Sequence, residues 1–225
     1  MDPSMPLIPP FEERDGQIAV ELQGASAIFT TRSWGDVRET HAEIGTRLGR
    51  PLARATQVHG NNVIIAAASG SEPPEADALV AATSDVGAMV ITADCLPVVV
   101  AAPGAVAAIH AGWRGLEAGV IASAVALLRT RGHGVLTAAI GPGAGVCCYE
   151  VSDELHRRFK AHSQDFHRGR NLDLKAIART QLMEAGVARI HDCGICTICS
   201  DPELLFSHRR DGAQTGRQAA IAWLS

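Results

Sequence analysis

Four short apolar runs between residues 63 and 110 limit the folds open to this chain more than any other feature. They are Val63 to Ala68, Ala88 to Thr92, Val98 to Ala102 and Val106 to His110, the last reached through a Pro103-Gly104 turn. Each is rich in Val, Ile or Ala and bounded by Gly, Pro or Asn, which suits buried strands rather than helices. Leu136 to Ile140 reads the same way and runs into the turn Gly141-Pro142-Gly143. Ile18, Val20 and Leu22 alternate with polar or small residues, as in a half-buried strand, and Ala27 to Thr30 follows as another. Short strands are also expected at Ala188 to His191, Leu204 to Ser207 and Ala219 to Trp223.

Helical spacing is confined to a few segments. Val37, His41, Ile44 and Leu48 fall at steps of four, three and four, ending at Gly49 and Pro51. Leu116, Val120, Ile121, Ala124, Val125 and Leu128 form one apolar stripe, predicting a single helix that opens between Gly112 and Gly115 and stops at Gly132. Ser152 and Asp173 are suited to cap two more. Strands outnumber helices and do not alternate with them one for one. The expected class is therefore α/β of the α+β kind, a single-domain mixed-sheet sandwich with flanking helices rather than a doubly wound parallel sheet. Within the 225 residues, the Pro-rich opening predicts a flexible segment over 1–16 and one domain over 17–225.

Composition narrows the function. With 47% hydrophobic and 20% charged residues the chain is globular rather than disordered. Lys+Arg 20 against Asp+Glu 24 leaves −4, with no basic excess to neutralise phosphates, so no nucleic-acid partner is expected. The charge-free stretch from Leu96 to Ile109 is broken by Pro97, Pro103 and Gly104 and is too short for a bilayer, so no membrane partner is expected either. No charged-then-apolar signal segment opens the chain, and the six cysteines are expected to sit reduced in the cytoplasm.

Three short motifs could carry chemistry. In Gln57-Val58-His59-Gly60 the histidine taken alone reads as a turn residue. In Thr92-Ala93-Asp94-Cys95-Leu96-Pro97 a cysteine follows an apolar strand, and an Asp at such a strand end needs a hydrogen-bond partner or a cation. In His110-Ala111-Gly112-Trp113-Arg114-Gly115 a strand delivers a histidine into a Gly-flanked helix start. Free N–H groups there and the fixed fork of Arg114 suit phosphate or carboxylate. Together His59, Cys95 and His110 supply two imidazoles and a thiolate, separated by 35 and 14 residues. Three protein ligands with one position open is a catalytic zinc pattern, whereas structural fingers use close ligand pairs and four donors. The same set also serves copper, but a multicopper oxidase needs further paired histidines, and the nine here are scattered singly.

QVHG, TADCLPVVV, HAGWRG, IGPGAGVCCYEV and CTICSDPELLFSHRRDGAQTGR, in that order, resemble the laccase-domain family. Its bacterial members, first called polyphenol oxidases, are described as zinc-dependent purine nucleoside phosphorylases. The resemblance covers the chain from about Ala27 to Trp223. It implies a compact sandwich distantly similar to cysteine-hydrolase toxins, with His59, Cys95 and His110 as metal ligands. It also implies phosphorolysis of adenosine, inosine, guanosine and methylthioadenosine by inorganic phosphate, and deamination of adenosine to inosine. Asp94 is the candidate proton carrier by position. Arg114, with Arg32 or Arg209, is the candidate anion holder, Arg209 and Arg210 being nearly equal choices. The assembly expected is a monomer or homodimer. In one respect the chain departs from the family: Thr30-Thr31-Arg32-Ser33-Trp34-Gly35-Asp36 runs almost straight into the first helix, where relatives carry a Gly-Gly pair and a longer loop.

Other readings compete. Cys95 could be a nucleophile activated by His110 without metal, as in cysteine hydrolases; the protein could be a copper polyphenol oxidase; or the pocket could belong to a binding module. Cys193, Cys196 and Cys199 form C-x₂-C-x₂-C, which could begin an iron–sulfur site, but only Cys147 or Cys148 could supply the fourth thiolate. Because a cysteine at the Cys196 position is ordinary in the family without a cluster, no second metal is expected. Ser207 to Gly212 reads on its own as a solvated hairpin. His41, His133, His156, His162, His167 and His191 are expected at the surface or at caps.

Overall fold

In the computed structural model, which describes residues 7–67, 72–160 and 166–225, the apolar runs are central strands. The first sheet contains β1 (Glu12–Arg14), β2 (Gln17–Leu22) and β3 (Ala25–Phe29). A 3₁₀ turn at Arg32–Trp34 and helix α1 (Val37–Arg47) lead to β4 (Leu52–Ala53). The second sheet begins with β5 (Val63–Ile65) and β6 (Ala78–Ala81), after which β7 (Gly87–Thr92) returns to the first. Then come β8 (Leu96–Ala102), β9 (Ala105–Ala111), α2 (Trp113–Glu117), α3 (Val120–Arg129) and β10 (Leu136–Ile140). The chain closes with α4 (Asp153–Lys160), the small pair β11 (His167–Arg168) and β12 (Asn171–Leu172), α5 (Leu174–Glu184), β13 (Val187–Asp192), α6 (His208–Asp211) and β14 (Gln218–Leu224).

Two mixed six-stranded sheets result, ordered β1-β2-β3-β14-β7-β4 and β13-β10-β8-β9-β6-β5. Val20, Ala27, Phe29, Val90 and Ala220 of the first pack against Val99, Ala101, Val106 and Ala108 of the second. The other face of the second sheet, including Val98, Val100, Ala107 and Ile109, packs on α3 and α5. Trp34 and α1 cover the outer face of the first through Ile28, Met89 and Ile221. Successive side chains of β8 and β9 thus meet different apolar layers, so both strands are apolar without alternation. The mixed-sheet sandwich with flanking helices expected from the sequence is the observed architecture.

Differences from expectation have local causes. β2 is buried at Ile18, Ala19 and Val20 rather than half-buried, because Ala19 faces α1 while its neighbours face the second sheet. The single helix expected after Gly112 is two: Gly119, at φ 80°, breaks the chain between α2 and α3 while leaving the apolar stripe in register. Leu204 to Ser207 is not a strand; Gln218 takes both backbone groups of Phe206 on its side-chain amide, through Phe206 N at 2.9 Å and Phe206 O at 3.1 Å. Ser207 to Gly212 is one turn of helix, α6, rather than a hairpin. In the opening segment Glu12–Arg14 pair with β2, while residues 1–6 lie outside the described residues, as does Ala68. The shortened stretch after Arg32 is the 3₁₀ turn, with Asp36 capping α1 directly. Among the described residues no helix is long and apolar enough to cross a membrane.

Candidate metal centre and adjoining cleft

Antiparallel pairing of β8 with β9 sets Leu96 opposite Ala111 and Pro97 opposite His110. Cys95 therefore stands just before the strand that lies beside His110. His59 comes from the loop ahead of β5, which Gln57 fastens to β7: its amide donates to Ile91 O at 2.8 Å and accepts from Ile91 N at 2.7 Å. The ligand atoms of His59, Cys95 and His110 lie within 4.8 Å of one another. The two imidazoles meet edge to face with centroids 4.8 Å apart. Gly112 makes this approach possible, since a Cβ there would sit 2.8 Å from Cys95 Sγ and 3.2 Å from His59 Cδ2.

Asp77, a residue the sequence analysis did not single out, organises the centre. It is fully buried, and its Oδ1 accepts from His110 Nδ1 at 2.8 Å and from His59 N at 2.9 Å. Its Oδ2 accepts from Gly60 N at 2.7 Å and Val58 N at 3.2 Å. One carboxylate thereby fixes the His110 tautomer, leaving Nε2 as its ligand atom, and shapes the loop that presents His59. Such carboxylate–histidine support is the usual second layer of a metal site. Its one available signal was an acid opening an apolar strand, Asp77-Ala78-Leu79-Val80, which looks like a surface residue after Pro73, Pro74 and Glu75.

Electrostatics favour a thiolate–imidazolium pair at the centre. Burial alone would raise the Cys95 thiol, but His110 and His59 beside it bring it down to about 6. Burial likewise disfavours charged His110, yet Cys95 and Asp77 lift it to about 9. Two non-glycine residues at the centre hold positive φ, His59 at 61° and Asp94 at 89°. Strain of this kind costs on the order of 1–3 kcal/mol and survives only where the surroundings over-determine it.

For Asp94 those surroundings are visible. Its Oδ1 accepts from Thr197 Oγ1 at 2.6 Å and Ser207 Oγ at 2.7 Å, and its Oδ2 from Arg209 N at 2.7 Å. The carboxylate expected beside the metal as a proton carrier is thus engaged by three donors from the closing segment of the chain.

Beside the centre opens a cleft of about 600 Å³, lined by Trp113, Arg114, Tyr149, Glu150, Arg158 and Arg209 among others. The Arg114 guanidinium lies 4.3 Å from the Trp113 ring centre, and that of Arg209 lies 5.1 Å from the Tyr149 ring. Among the described residues neither is in an ion pair with a carboxylate, whereas Arg158 pairs with Glu117 and Glu154. Arg32 is not among the lining residues; its Nη2 pairs with Asp211 at 2.7 Å and its guanidinium covers Phe206 at 4.3 Å. Arg210 turns inward, donating to Thr197 O at 2.9 Å and Leu205 O at 2.6 Å, so of the two nearly equal choices Arg209 faces the cleft. α2 spans only five residues, and Arg114 and Arg209 are the cationic groups an anion here would meet. Burial, with Cys95 and Asp94 nearby, pushes the Tyr149 hydroxyl up to about 12.

The family model described as multi-copper polyphenol oxidoreductase laccase matches residues 33–225. Among curated proteins, a purine nucleoside phosphorylase of Xylella fastidiosa (strain 9a5c) is 42% identical over 187 residues, 75% of this chain and 70% of its own. One from Aquifex aeolicus is 39% identical, covering 69% and 74%, and purine nucleoside phosphorylase YfiH of Escherichia coli K12 is 37% identical, covering 75% and 72%. Among solved structures, a Bacillus licheniformis hypothetical protein YfiH superposes with TM-score 0.85 at 26% identity, covering 97% of this chain and 100% of its own. A Neisseria meningitidis protein gives 0.82 at 30% identity, covering 94% and 100%.

Proposed function

This chain belongs to the family described as multi-copper polyphenol oxidoreductase laccases, and on that footing we propose that it is a zinc-dependent purine nucleoside phosphorylase. The relatives bearing that enzyme name support the reaction class. The substrates inferred are adenosine, inosine, guanosine and methylthioadenosine with inorganic phosphate, and a second activity converts adenosine to inosine. The observation that carries the reading is the convergence of His59, Cys95 and His110 beside a cleft containing Arg114 and Arg209.

The donor set fits zinc. Two imidazoles and a thiolate of lowered pKa face one point, and Asp77 holds the ring of His110 with Nε2 turned inward. Zinc bound there supplies Lewis acidity at neutral pH without a change of oxidation state. A laccase would need several copper ions, yet among the described residues only one cluster of candidate ligands contains histidine.

The chain's own residues supply the rest. Arg114 and Arg209 hold orthophosphate by charge-assisted hydrogen bonds. In phosphorolysis a phosphate oxygen bonds to C1′ of the ribose, the C1′–N9 bond breaks, and its electron pair leaves with the purine. Trp113 and Tyr149 offer flat walls to the nucleoside. Asp94 positions Arg209 by accepting its backbone N–H.

The test is chromatography of adenosine incubated with zinc-loaded protein, with and without phosphate. Adenine formed only with phosphate is expected, with inosine formed in both. Absence of adenine overturns the phosphorylase, and absence of inosine overturns the second activity.

One observation favours a second reading. Cys95, His110 and Asp77 line up as nucleophile, base and orienting carboxylate, which is the arrangement of a metal-independent cysteine hydrolase. That reading requires activity unaffected by a strong chelator.

A further inference from the structure

We propose that Cys147, Cys148, Cys196 and Cys199 form a second, separate metal site that takes one zinc ion in a closed shell of four thiolates. The inference is independent of the reaction assigned above. β10 and β13 pair in parallel, so the loops that follow them leave the sheet side by side. A bridge between Gly143 and Cys196 continues the pairing into those loops. Two cysteines arrive on each: Cys147 and Cys148 on the first, Cys196 and Cys199 on the second. All four sulfur atoms lie within 4.8 Å of one another.

The spacing suits one tetrahedral ion such as zinc. A Zn–S bond of about 2.3 Å sets thiolates about 3.8 Å apart along the edge of a tetrahedron. Cys147 Sγ and Cys199 Sγ are 3.7 Å apart, far beyond the disulfide length of about 2.05 Å. An iron–sulfur cluster would spread its thiolates over separate irons. Its C-x₂-C-x₂-C run would also enlist Cys193, which is instead buried and outside the group. Gly145 N donates to Cys196 Sγ at 3.2 Å, the kind of support that orients a ligating sulfur. A side chain at Gly145 would crowd Cys196 Cβ at 3.0 Å and Cys147 Sγ at 3.2 Å.

Loading is a proton exchange: four thiols release four protons to solvent, and a dication with four thiolates carries −2. With all four positions filled by protein the site is structural. It clips the loop that ends in Tyr149, a wall of the cleft, to the loop whose Thr197 holds Asp94.

The test uses the full chain, incubated with excess zinc, desalted and assayed by elemental analysis. Two zinc ions per chain are expected, falling to one in Cys196→Ser/Cys199→Ser and to one in His59→Ala. A double variant that retains two ions overturns the proposal. Should that variant fail to fold, iodoacetamide on the zinc-loaded wild type decides, read by peptide mass. Cys147 and Cys199, although exposed, are expected to stay unmodified until a strong chelator is added. Their modification before chelation, or a disulfide joining them, overturns the second site.

Discussion

Asp77 and His110 are joined twice: the carboxylate accepts from the ring Nδ1 at 2.8 Å, and His110 N donates to Asp77 O at the same distance. The pair is therefore fixed in backbone and side chain together, deep in the sandwich. Asp77→Asn preserves the shape but removes the anion that favours the ligating tautomer. A loss of metal affinity of about 10- to 100-fold is expected, measured by competition with a chromogenic chelator. Unchanged affinity would show that His110 needs no partner to ligate.

Gly112→Ala should remove the metal while sparing the fold. The backbone there, at φ −72° and ψ 167°, admits any residue, so only the close contacts with Cys95 Sγ and His59 Cδ2 are penalised. Zinc at the His59–Cys95–His110 centre is expected to fall well below one per chain with little change in melting temperature. Full occupancy in the variant would contradict the tight approach described.

The titration of Cys95 gives a pH signature. In metal-free protein the thiolate exists above about pH 6 and is lost below it, because the imidazoles outweigh burial. Alkylation of Cys95 by iodoacetamide should rise with pH through about 6 and then level, where an ordinary thiol would climb toward 9. Cys193 and Cys148, pushed up to about 11 by burial, should react far more slowly at pH 7. Protons compete for His110, lifted to about 9, as well as for the sulfur, so zinc affinity should weaken as pH falls below about 9 and more steeply below 6.

Arg114 and Arg209 should behave differently from Arg32. Replacing either cleft arginine by Ala is expected to raise KM for phosphate about tenfold or more, the order of one charged hydrogen bond. Arg32→Ala should leave KM for phosphate near wild type, removing one of the two arginines paired with Asp211 while Arg210 keeps its hold. Steady-state kinetics at varied phosphate separates the two outcomes.

Asp94→Asn distinguishes anchor from proton carrier. As an anchor its loss costs stability, about 1–3 kcal/mol by urea unfolding, because Thr197, Ser207 and Arg209 N lose an anionic acceptor. A variant of wild-type stability with greatly reduced kcat would restore the proton-carrying role.

Much of the architecture was legible because burial on both faces leaves a strong mark: β7 to β10 are apolar runs cut by Pro and Gly. Cys95 and His110 stood out for the same reason, as polar residues at apolar strand ends, whereas His59 taken alone read as a turn residue and lies in the loop ahead of β5. Asp77 did not, because whether an acid at a strand start is buried depends on β9 lying beside it, 33 residues away in the chain. The four-cysteine group was hidden for a similar reason. Its pairs are brought together by the parallel pairing of β10 with β13, which no local pattern announces. Gly119 interrupted an apolar stripe whose period survived the break, and so α2 and α3 read as one helix.

The turn at Pro103-Gly104 has a consequence at the opposite end of its hairpin. In most sheets a slip of one residue exposes the apolar side chains, and that error corrects itself. β8 and β9 have no such safeguard, since every side chain on them is apolar or small except His110, and both faces are covered. A shifted alignment would bury nearly as much oil-like surface as the right one. What forbids it is the two-residue reversal, with Gly104 at φ 89° and Ala102 held opposite Ala105, together with the double link of His110 to Asp77. A longer reversal that let β9 slip by one residue would turn His110 toward α3, about 20 Å from the insertion, and strand the buried Asp77 carboxylate. Such a protein would lose the convergence of His59, Cys95 and His110.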